Sequence, residues 1–304
     1  MPICPGCQQP IVDSSITALD RSWHSACFRC TGCGQPISQH HFFPHANQPY
    51  HEACFHARFS PRCAIRGEIL RQEYTINSWG ETYCKPHAAG VTECFSCHRP
   101  VCERLTGGGV RYADGRTVCN RCRRTAIDDA AVGQPLVAQV RATLARLGLD
   151  LAAAATPLRL VDQGELIRRS TKPYTPKPAG MACHQWVSRN GQIIERSVEA
   201  ILILHGLPAE HCAAIAAHEL THSYLFLHAF PDLEPVVEEG LCELTAYLWL
   251  KQQGTVEAAY RMKTMEENTD PVYGRGFQAA RRGMEQIGAV AMFSYVFRHR
   301  RFLS

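Results

Sequence analysis

Up to Cys122, short apolar stretches alternate with cysteine pairs; beyond it the apolar positions become periodic. Leu136, Val140, Leu144 and Leu147 recur at helical spacing, and Gly148 supplies a stop. Leu158-Arg159-Leu160-Val161-Asp162 alternates as a strand does. Residues 172–180 are Pro-rich and read as a surface loop. Residues 183–187 and 192–204 form a predicted hairpin, joined through Asn190-Gly191, a pair suited to a type I′ turn. Ile201-Leu202-Ile203-Leu204 reads as a buried strand. It runs through Gly206-Leu207-Pro208 into an apolar helix over about 209–228, with Pro near the helix start. A second helix reads over 235–247. The chain stays helical beyond it until Asn268-Thr269-Asp270-Pro271 breaks the run, and Tyr273-Gly274-Arg275-Gly276-Phe277 leads into one last helix and a basic, solvated tail.

The apolar helix contains Ala217-His218-Glu219-Leu220-Thr221-His222, an H-E-x-x-H motif. Positions i and i+4 lie about 40° apart on a helix, so His218 and His222 can aim at one Zn²⁺. Glu219 sits about 100° round, placed to serve as a base. The motif alone is a hypothesis, and an ordinary histidine pair is the plain alternative. Ile215, Ala216, Ala217, Leu220 and Leu225 make the helix buried, and a buried His-Glu-His cluster without a metal is costly. Glu239 on the second helix is the expected third ligand. It is preferred to Glu238 because it precedes Gly240, whose small size allows close approach to the site. Glu243, one turn later, can orient a ligand imidazole. Without the upstream motif, the Glu238-Glu239 pair would read as a solvated helix start. Tyr273 is a candidate for stabilising an oxyanion, with Tyr247 and His228 as rivals; each also reads as an ordinary packing residue.

The chain has 304 residues, 45% hydrophobic positions and a net charge of +4, which fits two or more globular domains and gives no argument for nucleic acid. It has no apolar stretch of transmembrane length and no signal-peptide shape at Met1-Pro2-Ile3-Cys4, so the expected location is cytoplasmic, without membrane. Thirteen of the sixteen cysteines precede residue 123, mostly in C-x-x-C spacing mixed with histidine. That pattern favours metal sites over disulfides.

Cys4-x2-Cys7, His24-x2-Cys27, Cys30-x2-Cys33 and His51-x2-Cys54 make four metal-binding pairs, with two residues between Cys27 and Cys30. This is the LIM-domain pattern of two fused zinc knuckles. Cys4, Cys7, His24 and Cys27 are assigned to one zinc; Cys30, Cys33, His51 and Cys54 to the other. A degraded unit comes next. Cys63, Cys84 and His87 supply three ligands, and Arg66 stands where a C-x-x-C partner would be, so an empty or weak site is expected. Cys94, Cys97, Cys119 and Cys122 make a complete Cys₄ knuckle, with hairpin signals at Gly107-Gly108-Gly109 and Asp114-Gly115 between. Cys102 is spare. Arg121, Arg123 and Arg124 are too few for a nucleic-acid interface.

The combination resembles the LIM-peptidase family known best from plants, whose members are ubiquitin-activated regulators of organ growth. The resemblance is sharpest in Ala200-Ile201-Leu202-Ile203-Leu204-His205-Gly206-Leu207-Pro208, in the H-E-x-x-H run and in Val237-Glu238-Glu239-Gly240-Leu241-Cys242. It implies a zinc endopeptidase with His218 and His222 as ligands and Glu219 as base. The chain begins almost at the first LIM cysteine, so a compact form without ubiquitin-interacting motifs is expected. The resulting expectation is an α+β chain. Residues 1–61 form a LIM domain, 62–125 a degenerate LIM-like domain with the Cys₄ knuckle, and 126–304 a gluzincin-type metallopeptidase domain of a small sheet and active-site helices. One catalytic and three structural Zn²⁺ are expected, with a fourth structural one if the Cys63 knuckle fills. Protein substrates, and ubiquitin or another regulatory protein, are the expected partners. The competing class is a LIM adaptor with a retired peptidase domain; an H-E-x-x-H enzyme acting on something other than protein is a third.

Overall fold

The computed structural model describes residues 1–304 except 38–40, 72, 86–89, 151–155, 176 and 304. The chain separates into two compact units, Met1–Val91 with Glu103–Leu105, and Thr92–Cys102 with Thr106–Ser304.

The first unit is built from short hairpins and cysteine-framed turns. Strands Ser15–Ala18 and Arg21–His24 pair, as do Phe43–His45 and Gln48–Tyr50, and helix Glu52–Phe59 comes after them. The ligand atoms of Cys4, Cys7, His24 and Cys27 converge within 4.8 Å of one another, and so do those of Cys30, Cys33, His51 and Cys54. Phe28, fully buried, packs between the knuckles against Trp23 (5.6 Å) and Phe42 (5.2 Å). These are the LIM zinc-binding modules that the spacing predicts.

A recurring backbone turn frames each C-x-x-C. Bridges Ile3↔Pro10, Arg29↔Pro36, Arg62↔Ile69 and Glu93↔Pro100 close around Cys4, Cys30, Cys63 and Cys94. In each, an amide four residues on donates to the first cysteine's carbonyl, from Gln8, Gly34, Gly67 and His98. Those four residues have positive φ (60°, 73°, 84° and 56°). The Cys63 knuckle thus keeps the zinc-knuckle turn although Arg66 fills a ligand position. Its Cys63 and Cys84 sulfurs lie 4.0 Å apart; His87 lies outside the described residues.

In the second unit a three-stranded sheet has the order Leu158–Val161, Gln192–Leu204, Gly180–Arg189, the first pair parallel and the second antiparallel. Ile201 to Leu204 are fully buried, as a strand covered on both faces requires. Asn190 (φ 52°) and Gly191 (φ 79°) make the two-residue turn with the positive angles that type I′ demands. Helix Ala130–Arg146 starts on an Asp129 side chain that accepts from the Ala131 amide. The motif helix, Ala209–Leu227, and the glutamate helix, Pro235–Lys251, complete the core with Val256–Glu266 and Ala289–His299, and Tyr273–Ile287 packs on the glutamate helix through Phe277 against Tyr247. The single last helix expected from sequence is two, because Gly288 (φ 84°) stops Tyr273–Ile287 before Ala289–His299 begins. Cys94, Cys97, Cys119 and Cys122, all buried, also converge within 4.8 Å. Strands Gly109–Arg111 and Thr117–Cys119 pair between them. The knuckle belongs to this second unit, where Ser96 Oγ lies 2.9 Å from His211 Nδ1 of the motif helix. No described helix is long and apolar enough to cross a membrane.

Gly240 serves a different neighbour from the one expected. A Cβ on it would lie 2.5 Å from the Gly276 carbonyl, and one on Gly276 would lie 2.3 Å from Val236 O. The glycines let the glutamate helix and Tyr273–Ile287 touch backbone to backbone, which brings Tyr273 toward the histidines. Gly276→Val should therefore lower stability by about 1–3 kcal/mol or more, read as a lower denaturation midpoint with far-UV circular dichroism retained; an unchanged midpoint refutes the close-contact role.

Candidate metal centre

The motif helix buries Ala213, Ala216, Ala217 and Leu220 completely, which fixes its rotation about its axis. His218 and His222 then emerge on one face with ring centroids 5.0 Å apart. From the glutamate helix, Glu239 enters between them with no exposed surface. Its Oε2 lies 3.1 Å from His218 Nε2 and 3.4 Å from His222 Nε2. Each imidazole is held from behind: His218 Nδ1 is 2.9 Å from Glu243 Oε1, and His222 Nδ1 is 2.8 Å from Glu238 Oε1. With Nδ1 tied to a carboxylate, Nε2 faces the centre. Glu243 stands where the sequence suggested an orienting group. Glu238, the rejected ligand, does the same for the other histidine.

Two imidazoles and a carboxylate converging at such distances, with carboxylates behind the rings, are a donor set that suits Zn²⁺. The Cys242 thiol, fully buried, also lies within 4.8 Å of the two imidazole ligand atoms. Glu239 is the better third donor, because its Oε2 distances are those of ligands sharing one ion.

The electrostatics show how tightly these groups are bound together. Burial alone would raise the Glu239 pKa, but the two imidazoles hold it well below the usual carboxylate range. Burial would lower His218; the hydrogen bonds it donates to Glu239 and Glu243 push it up to about 10 instead. The loop expected over 172–180 lies against the same carboxylate. Lys172 Nζ donates to Glu239 Oε1 at 2.6 Å and lies 3.2 Å from His222 Nε2, and Tyr174 OH reaches Glu239 Oε1 at 3.2 Å. Neither residue belongs to any motif; a lone lysine in a Pro-rich loop carries no such signal.

Glu219, 7% exposed, lines the same cavity of about 530 Å³. A Cβ on Gly180 would lie 2.8 Å from Glu219 Oε1, so the edge strand Gly180–Arg189 starts directly against this carboxylate. His184 on that strand stacks on Phe226 at 4.4 Å, and burial lowers its pKa to about 4.

Tyr273 reaches the centre: its ring lies 6.3 Å from that of His218, and its hydroxyl pairs with Thr175 Oγ1. The rivals point elsewhere. Tyr247 donates to Glu266 at 2.7 Å and packs on Phe277, and His228 lies 3.2 Å from the Asp150 carbonyl.

Comparison with known proteins is consistent along the chain. The LIM-domain profile matches residues 4–59, and the DA1-like profile, described as Protein DA1, matches residues 179–264. Protein DA1 of Arabidopsis thaliana is 30% identical over 94% of this chain and 65% of its own length. Protein DA1-related 2 of the same plant is 31% identical over 83% of this chain and 54% of its own. LIM domain-containing protein HDR3 of Oryza sativa subsp. japonica is 28% identical over 83% and 56%. The chain thus spans about half to two thirds of the length of these relatives. The DA1-like match runs across the edge strand, the motif helix and the glutamate helix, and with the LIM match ahead of it the chain belongs to the DA1 family.

Proposed function

We propose that this chain is a zinc-dependent endopeptidase of the gluzincin type that cuts selected protein substrates, with its LIM part docking or regulating. The observation that carries this reading is the meeting of His218 Nε2, His222 Nε2 and Glu239 Oε2 beside Glu219 at the start of a sheet edge. His218, His222 and Glu239 would hold the zinc. When bound, zinc supplies Lewis-acid polarisation of the attacking water and of the scissile carbonyl.

The chain's own groups perform the rest. Glu219 takes a proton from the attacking water and delivers it to the leaving amine. Glu238 and Glu243 fix the two imidazoles, and Lys172 and Tyr174 hold the Glu239 carboxylate by its other oxygen. Gly180–Arg189 pairs on one side only among the described strands, so its free edge can take substrate backbone as an added strand. Gly180 sets the start of that edge over Glu219, which brings the peptide to the base. Tyr273, beside His218, is the side chain assigned to the developing oxyanion. LIM knuckles favour protein partners, so protein is the proposed substrate class, and ubiquitin or another protein the proposed regulator.

Glu219→Gln should retain zinc and lose cleavage of a protein substrate by about 10²-fold or more; cleavage that persists in contaminant-free protein sinks the base assignment. Three Cys/His clusters plus this centre give an expected four zincs per chain, and His222→Ala should hold three. Elemental analysis reads both, and equal counts in the two folded proteins would favour the adaptor class. Glu243→Ala and Glu238→Ala should each weaken zinc binding at this centre by about 10–100-fold, measured by chelator competition; unchanged affinity removes their orienting role.

A further inference from the structure

The cavity at the metal centre continues along the motif helix. His211, Ala214, Ile215 and His218 all line it. His211 precedes His218 by seven residues, about 10.5 Å along the axis. At that end stand Ser96 of the Cys₄ knuckle and Arg261 of helix Val256–Glu266. Arg261 Nη2 donates to Ser96 Oγ at 2.8 Å and Nη1 to the Ser96 carbonyl at 3.4 Å, while His211 Nδ1 lies 2.9 Å from the same Oγ. Arg261 Nε is buried with no hydrogen-bond partner among the described residues.

The charges of the cavity are unevenly met. Lys172 faces Glu239, Arg169 faces Glu165 at 3.1 Å, and His98 lies 3.8 Å from Glu93. The cavity's carboxylates, Glu219, Glu238, Glu239 and Glu243, gather around the histidines. Arg261 makes its described hydrogen bonds to Ser96 alone and pairs with no described carboxylate. Burial lowers its pKa, and Cys122, Tyr260, Cys97 and Glu210 oppose that through their field without bonding to it. His211, driven well below its ordinary pKa by burial and by Arg261, is neutral and adds no competing charge. A guanidinium stays protonated and keeps spare N–H donors, which carboxylates match best.

We propose that this end of the cleft is a subsite for a carboxylate of the substrate peptide, held by Arg261 with Ser96 as its positioning residue. An extended peptide advances about 3.3 Å per residue, so the carboxylate sits about three residues from the cut bond. It is either an acidic side chain or a free C-terminus. This inference rests on the peptidase reading.

The test uses the full-length zinc-loaded chain and a degenerate decapeptide library, half of it C-terminally amidated. Cut products are sequenced for the wild type, Arg261→Gln and Glu219→Gln. In parallel, peptides retained by immobilised Glu219→Gln are sequenced. The expected result is about tenfold enrichment of Asp or Glu at one position two to four residues from the cut, or cuts at a fixed distance from the C-terminus that amidation abolishes. Either preference should disappear in Arg261→Gln. Glu219-dependent cuts without such a preference, or with one that survives in Arg261→Gln, overturn the subsite and leave the peptidase reading standing. If no Glu219-dependent cuts occur, the peptidase reading fails, and the retained peptides decide: acidic enrichment lost in Glu219→Gln/Arg261→Gln supports a carboxylate site, and no enrichment overturns it. If Arg261 merely offsets the knuckle's charge, Arg261→Gln lowers zinc content and melting temperature while the wild type shows no acidic preference. The wild-type comparison of acidic and neutral peptides needs no variant, so misfolding of Arg261→Gln cannot mask the outcome.

Discussion

The second unit is organised around one costly group, a carboxylate with no exposed surface. Taking an ion such as Glu239 out of water is tolerated only where opposite charge and hydrogen bonds replace the lost hydration. Its two oxygens are served from different directions: Oε2 by the imidazoles of the motif helix, Oε1 by Lys172 and Tyr174 of the loop. Those imidazoles are in turn fixed by Glu243 and Glu238, one turn after Glu239 and one residue before it. With Glu219 of the motif helix, these make four carboxyl groups around two imidazoles and one ammonium. Such a donor set would suit a divalent cation, whose charge would offset that excess, on grounds separate from the spacing of the motif.

Much of the centre is legible in the sequence because spacing alone determines which side chains share a helix face. His218 and His222 follow from 3.6 residues per turn, and the Cys pairs follow from the knuckle turn that frames each C-x-x-C. Asn190-Gly191 announces its turn because few residues accept two positive φ angles in succession. Contacts between elements distant in sequence are not legible. Gly240 reads correctly as a site of close approach, but the partner is Gly276, thirty-six residues on. Lys172 and Tyr174 reach Glu239 only because the loop crosses the cleft, and no local pattern encodes that crossing. The sequence weighs Glu238 only as a rival ligand to Glu239 and gives it no orienting role, although a helix turns about 100° per residue and the two carboxylates cannot face the same way. Here one faces the centre and the other the back of His222.

The Cys₄ knuckle shows how a structural metal site can shape a cleft it does not enter. Ser96 lies between Cys94 and Cys97, so both cysteines fix its backbone when they converge. From that position its hydroxyl meets His211 and its hydroxyl and carbonyl take both Nη atoms of Arg261. The knuckle tip thus joins the motif helix to helix Val256–Glu266 across the far end of the cavity. Loss of the Cys₄ convergence would free Ser96, and with it the orientation of Arg261, while leaving the histidine pair on its own helix. Metal at the knuckle would then act on the width and charge of the cleft, and the groups gathered at His218, His222 and Glu239 would carry the proposed chemistry. This division explains why a cysteine cluster that reads in sequence as part of the front modules packs within the unit that carries the candidate centre.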